Sequence, residues 1–169
     1  MTNPKATGNA GRLIVQTFIQ GVYTVDIGRV EATFTVLPGS VTATAAIEVS
    51  NPVTYGADSV YVLRFMIDHS VPKSGIIALD IPQPFGIDDR KILQTSALCQ
   101  KNDLFFCTSI PERTLELRTR EEISAGSEVT IELDGLRNPR TFEETEEFFI
   151  VTYSANFEYE IDRGYSMRT

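Results

Sequence analysis

Few residues in this chain have the types and spacing that chemistry requires. Asp68, His69 and Ser70 bring an acid, the only imidazole and a hydroxyl together. A nucleophile–base–acid relay needs groups converging from separate places, and three consecutive residues cannot easily assemble one. His69 therefore reads as a loop residue at the end of a strand, rather than a ligand or pH switch. Asp88-Asp89 offers two carboxylates to a cation, far short of the ligand-rich loop that an EF-hand needs. The EETEE run at 143–147 has the charge for a metal or a docking patch, but such runs are more often the solvated lead-in to a strand. There is no Gly-rich phosphate loop, no HExxH helix and no GxSxG elbow. The expectation is a protein that is not an enzyme, with no catalytic residue, no metal site and no cofactor.

Cys99 and Cys107 are the only cysteines, with seven residues between them. Facing strand positions across a short loop would bring them to disulfide distance. Closing so short a loop would stabilise by ~2.5 kcal/mol on the chain-entropy model. The alternative is a pair of reduced, buried thiols in a cytosolic protein. Zinc is disfavoured, because two thiols and one distant histidine make no recognisable ligand spacing.

The elements that would position these residues read as strands. In Ser59–Ile67, Tyr61, Leu63, Phe65 and Ile67 share one face and Arg64 lies on the other. Val129, Ile131 and Leu133 alternate with Glu128, Thr130 and Glu132, and Leu115 and Leu117 alternate in RTLELRT. Period-two alternation marks a half-buried strand. RVEATFTV at 29–36 reads the same way, followed by a turn at Leu37-Pro38-Gly39-Ser40. A further strand then carries Ala43, Ala45, Ile47 and Val49 inward. Residues 85–98 are the least regular and have room for one helical turn. EVTIELDG is expected to stop at Asp134-Gly135, and Phe157, Tyr159 and Ile161 to alternate with Glu158, Glu160 and Asp162. Nine or ten short strands between Gly/Pro/Asn/Asp turns argue for an all-β, immunoglobulin-like antiparallel sandwich, in the broad sense only.

Length and composition bound the rest. A chain of 169 residues suits one domain with a tail. A formal charge of −8 argues against nucleic acid and anionic membranes. No apolar run approaches the ~20 residues that span a bilayer, so direct membrane insertion is not expected. MTNPKATGNAG has no signal-type apolar stretch, which places any signal outside this segment.

Much of residues 138–164 occurs twice. Asn3-Pro4-Lys5 corresponds to Asn138-Pro139-Arg140, Ile14-Val15 to Ile150-Val151, and, after a one-residue gap, Thr17-Phe18 to Thr152-Tyr153. Tyr23, Asp26 and Gly28 correspond to Tyr159, Asp162 and Gly164, at an offset of 135 or 136. On this alignment Met1 falls opposite Leu136 and reads as an interior position. Self-similarity at a fixed offset is the signature of a tandem array. Residues 1–28 then read as the closing strands of a preceding module, 29–165 as one sandwich module and 166–169 as a tail. The core-rich segment 148–162 fills this module's own slot. Leu13, Ile14, Val15, Thr17 and Phe18 form the assembly strand, whose partner is a neighbouring copy joined head to tail.

Tyr55-Gly56-Ala57-Asp58-Ser59-Val60-Tyr61, VPKSGIIALDIP at 71–82, Cys99 and Cys107, VTIELDGLRNP at 129–139 and FFIVTY at 148–153 follow in this order. The order resembles a repeated module in very large surface proteins of ciliated protists, over about two thirds of the chain. The resemblance implies an extracellular β-sandwich repeat, an oxidised cysteine pair and a role in a surface coat or filament; the repeat itself argues for a structural module of an extracellular array, adhesin or filament. The alternative is a loop-mediated module for carbohydrate or protein, for which Tyr55, Phe85 and Tyr165 are the loop aromatics.

Overall fold

In a computed structural model, the described residues are 8–9, 13–19, 23–30, 35–52, 58–95, 98, 103–140 and 145–165, the strands before Leu37 by backbone alone. The expected loop aromatic Tyr55 and the tail 166–169 lie outside them. The chain divides into two compact units, Met1–Pro38 and Gly39–Thr169. The division falls ten residues after the boundary expected from the repeat.

The first unit holds β1 (Gly8–Asn9), β2 (Leu13–Ile19), β3 (Tyr23–Val30) and β4 (Thr35–Val36). β1 pairs with β4, and β2 with β3 in an antiparallel hairpin. The described parts of RVEATFTV fall on β3 and β4, which pair in different two-stranded sheets. Val30 ends β3, Val36 sits in β4, and residues 31–34 lie outside the described residues.

The second unit carries β5 (Gly39–Ala43), β6 (Glu48–Val49), β7 (Asp58–Ile67), β8 (Ile76–Asp80), β9 (Gly86–Ile87), β10 (Phe105–Ser109), β11 (Thr114–Thr119), β12 (Glu128–Arg137), β13 (Phe149–Tyr153) and β14 (Glu160–Tyr165). All ten belong to one curled sheet, a half-barrel in the order β10-β11-β8-β13-β14-β5-β7-β12-β9, with β6 on β7. The all-β expectation holds in this form. Gly39-Ser40, expected in a turn, instead begins β5, because β5 is drawn into ladders on both sides.

The curl folds the inward faces onto one core. Tyr61, Leu63, Phe65 and Ile67 of β7, Val129, Ile131 and Leu133 of β12, and Leu115 and Leu117 of β11 meet Leu79 of β8 and Ile150 of β13 in a single buried cluster. β8 is buried on both faces from Ile76 to Leu79, as its unbroken apolar run requires in the middle of a sheet. Phe85 lies in the loop between β8 and β9, as expected, but is core, 2 % exposed, and not available at the surface. Its ring stands edge-on to Tyr61 at 5.3 Å and lies 5.2 Å from Phe148. The Tyr61 hydroxyl donates to Asn138 Oδ1 at 2.5 Å, and Asn138 Nδ2 donates to the Asn51 carbonyl at 2.8 Å. Burial pushes the Tyr61 hydroxyl up to about 12.

β12 does not stop at Asp134-Gly135. The ladder with β7 shifts register between Leu133 and Leu136 and then continues to Arg137, which also pairs with β9. Gly135 carries the bulge at φ +105°, where an L side chain is strained. Its carbonyl accepts the Asp88 N–H at 2.9 Å. Residues 91–95 form a π-helical turn, the helical element expected within 85–98.

Candidate assembly site: the closing hairpin and the strand it meets

β13 and β14 form the antiparallel hairpin that closes the sheet. β13 lies against β8, with Ile150 opposite Leu79 and Thr152 opposite Ile77. β14 runs parallel to β5, placing Asp162 opposite Gly39 and Arg163 opposite Ser40. β5 continues antiparallel to β7, with Val41 opposite Ile67. Among the described residues, the short parallel ladder between β14 and β5 is thus the one step in the strand order that links β10-β11-β8-β13-β14 to β7-β12-β9.

Asp162 sits at this junction and is 0 % exposed. A buried carboxylate needs partners, and here they come from the end of β7. Its Oδ2 accepts the His69 backbone N–H at 3.0 Å, and its Oδ1 lies 2.8 Å from His69 Nδ1. An ionised carboxylate only accepts, so the imidazole carries its proton on Nδ1 when the two are bonded. Asp162 N–H donates to the buried Thr152 hydroxyl at 3.0 Å. Alongside, Asp68 accepts the Ser40 N–H at 2.9 Å and donates its own N–H to the Ser40 carbonyl at 3.2 Å.

Two glycines permit the close approach. A Cβ on Gly164 would come within 2.0 Å of the Val41 carbonyl oxygen, and one on Gly39 within 2.2 Å of Asp162 Oδ1. Both distances are far inside any contact a real Cβ shows, and the first is to backbone, which cannot swing away.

The hairpin β2–β3 repeats this geometry strand for strand. Thr17 is opposite Asp26, as Thr152 is opposite Asp162. Val15 is opposite Gly28, as Ile150 is opposite Gly164. Both ladders shift register at the same place, between Thr17 and Phe18 in one and between Thr152 and Tyr153 in the other. The pairing also corrects the alignment read from sequence. Val15, rather than Ile14, takes the position of Ile150, and no gap falls inside the strand. The extra residue of the second copy lies in the hairpin connection, between Tyr153 and Glu160.

The expected alternation through Phe157–Asp162 is also corrected. Residues 155–157 make a 3-10 turn, Phe157 is 45 % exposed, and Asp162 points into the protein instead of outward. Asn156 and Phe157 have positive φ, so the chain turns where a continuous strand was expected.

The other sequence candidates are placed as follows. The Asp88 carboxylate accepts the Lys91 N–H at 3.1 Å and so caps the helical turn. Among the described residues no group of three His, Cys, Asp or Glu side chains is placed to hold a metal ion. Cys107 lies on β10, half-buried, opposite Leu117, and Cys99 lies outside the described residues. No free cysteine is present among the described residues. Leu13, Ile14, Val15, Thr17 and Phe18 all lie on β2.

An open groove of about 870 Å³ lies at the other end of β14. Phe149 and Tyr165 line it with ring centroids 4.8 Å apart, among the acids Asp80, Glu112, Glu146 and Glu147. Tyr165 is 60 % exposed. In the first hairpin the same ladder positions hold Ile14 and Arg29, so the aromatic pair is not repeated. What repeats is Thr, Asp and Gly.

Comparison with protein families finds no matching model, and comparison with curated proteins finds no match.

Proposed function

We propose that the chain is a structural repeat of an extracellular surface array, adhesin or filament, contributing contacts between modules rather than catalysis. The observation that carries this reading is the second closing hairpin. It has the same register, the same bulge position and the same Thr, Asp and Gly as the hairpin that closes the sheet. A sequence keeps a threonine, an aspartate and a glycine at matched ladder positions when both copies fit the same kind of slot. Repeat proteins are built in this way, each unit meeting its neighbours. An immunoglobulin-like sandwich fits the strand order, with β5 as the strand shared between two layers. The protist surface module and the Cys99–Cys107 bridge belong to the same proposal.

The test joins two measurements. The transcript around this segment is expected to encode further copies spaced by about 135 residues, the offset within the chain. An antibody to residues 39–165 is expected to stain intact, non-permeabilised cells. A single copy, or staining only after permeabilisation, would overturn the reading.

A second reading has one observation in its favour. The Phe149–Tyr165 pair in the open groove is the kind of surface on which a sugar ring stacks. Binding on a glycan array that is lost in Tyr165→Ala would select it.

A further inference from the structure

We infer that the hairpin β2–β3 is a closing hairpin for a second unit of the same kind as residues 39–165, and that it docks beside that unit's β5. The inference rests on the repeat reading and names the partner surface within it. The slot can be described from the unit in hand. It is bounded by β8 on one side and β5 on the other, and is closed by two contacts. A carboxylate takes the His69 backbone N–H and imidazole, and a glycine passes the Val41 carbonyl, while within the hairpin a threonine hydroxyl takes the N–H of that same aspartate. β2–β3 brings Asp26, Thr17 and Gly28 to the corresponding ladder positions. A free-standing hairpin has no use for this set. Asp and Gly are poor strand formers, and both weaken an isolated two-stranded ribbon. They are accounted for by the strand that the hairpin meets.

The partner is therefore a second unit of this fold whose own closing hairpin has left the slot, recognised through its Gly39–Val41 edge and the His69 corner, which β14 and Asp162 occupy in the unit in hand. The docked hairpin extends the partner's sheet by main-chain pairing, and the buried carboxylate fixes the register. Because donor and slot lie at different places on one chain, the contact is heterologous, and units whose slots are vacated link as an open chain.

The test uses the full chain in four forms: wild type, Gly28→Val, Gly164→Val and the double variant. Gly164→Val drives a side chain into the Val41 carbonyl and expels the unit's own hairpin. If β2–β3 serves the same slot, Gly164→Val keeps a cooperative melt by taking the hairpin of another chain. It then shows concentration-dependent oligomers by size-exclusion chromatography with light scattering. Gly28→Val alone melts as wild type does. The double variant loses both the oligomers and the cooperative melt, and a synthetic peptide of residues 11–32 in excess restores the melt. The same peptide with Gly28→Val does not. Identical behaviour of Gly164→Val and the double variant, folded or unfolded, would overturn the inference, as would failure of the peptide to restore the melt. The surface-repeat reading is judged separately, by the transcript and the staining.

Discussion

Asp162→Asn isolates the contact at the β14–β5 junction that links the two parts of the half-barrel. The substitution keeps side-chain volume, so it leaves no cavity and changes only charge and donor pattern. Asp162 accepts twice from His69, from the backbone N–H at 3.0 Å and from Nδ1 at 2.8 Å. Asparagine has one accepting oxygen. The backbone N–H cannot change its role, so the amide oxygen must face it, and the amide NH2 then faces Nδ1. The imidazole can adapt by moving its proton to the other nitrogen and accepting. The net change is the loss of charge from both bonds, and a hydrogen bond to a charged group contributes ~1.5–3 kcal/mol against ~1 kcal/mol for a neutral one. The expected destabilisation is about 1–3 kcal/mol. For a domain of this size each kcal/mol moves the midpoint by roughly 3–4 °C, so the melt should fall by roughly 3–12 °C. Differential scanning calorimetry at neutral pH reads this directly, and the shift should persist in high salt because Asp162 is fully buried. His69→Ala keeps the backbone N–H and removes only the imidazole. A double-mutant cycle should therefore return a coupling of at least ~0.5 kcal/mol between the two side chains. A shift for Asp162→Asn within ~0.5 kcal/mol, the range of ordinary surface changes, would refute the role assigned to this carboxylate.

Phe65→Ala should cost ~3–5 kcal/mol in urea unfolding, since Phe65 is fully buried in the shared core, and a loss below about 1 kcal/mol would contradict that placement. Tyr61 gives an alkaline signature. Its hydroxyl titrates at about 12 in the folded protein against 10 when unfolded, because burial disfavours the phenolate. Its contribution is therefore complete below pH 10 and is lost as pH rises from 10 through about 12, roughly 2–3 kcal/mol in all. Tyr61→Phe should flatten that part of the pH–stability curve, at a cost of ~1–2 kcal/mol near neutrality for the lost bond to Asn138. Non-reducing peptide mapping of material from an oxidising source should recover Cys99 and Cys107 in one linked species. Two free thiols would remove the bridge from the proposal.

The sequence by itself determined that β7, β11 and the first part of β12 are strands and which of their faces are buried. β7 alternates along its length and β12 as far as Leu133, and their apolar sides face the core. It also showed that Thr, Asp and Gly recur near the two ends of the chain. Only the tertiary structure decided what those residues do. Alternation assigns Asp162 to the side opposite Ile161, which counts as outward on a sheet with one open face. β14, however, lies between β13 and β5 where the sheet curls, so Ile161 and Asp162 are both buried although they point to opposite faces, and the carboxylate is enclosed while the His69 ring bonded to it stays exposed. Gly135 reads as a strand end because glycine usually ends strands; here β7 and β9 hold the chain on both sides of it, and the positive φ becomes a bulge. Phe85 reads as a loop aromatic from its flanking prolines and glycine, yet the loop folds inward and Arg113 donates to the carbonyls of Ile81, Pro82 and Phe85 to hold it there. Local pattern reports a residue's neighbours along one strand. The partners across the curl come from positions far away in the chain, and no local periodicity encodes them.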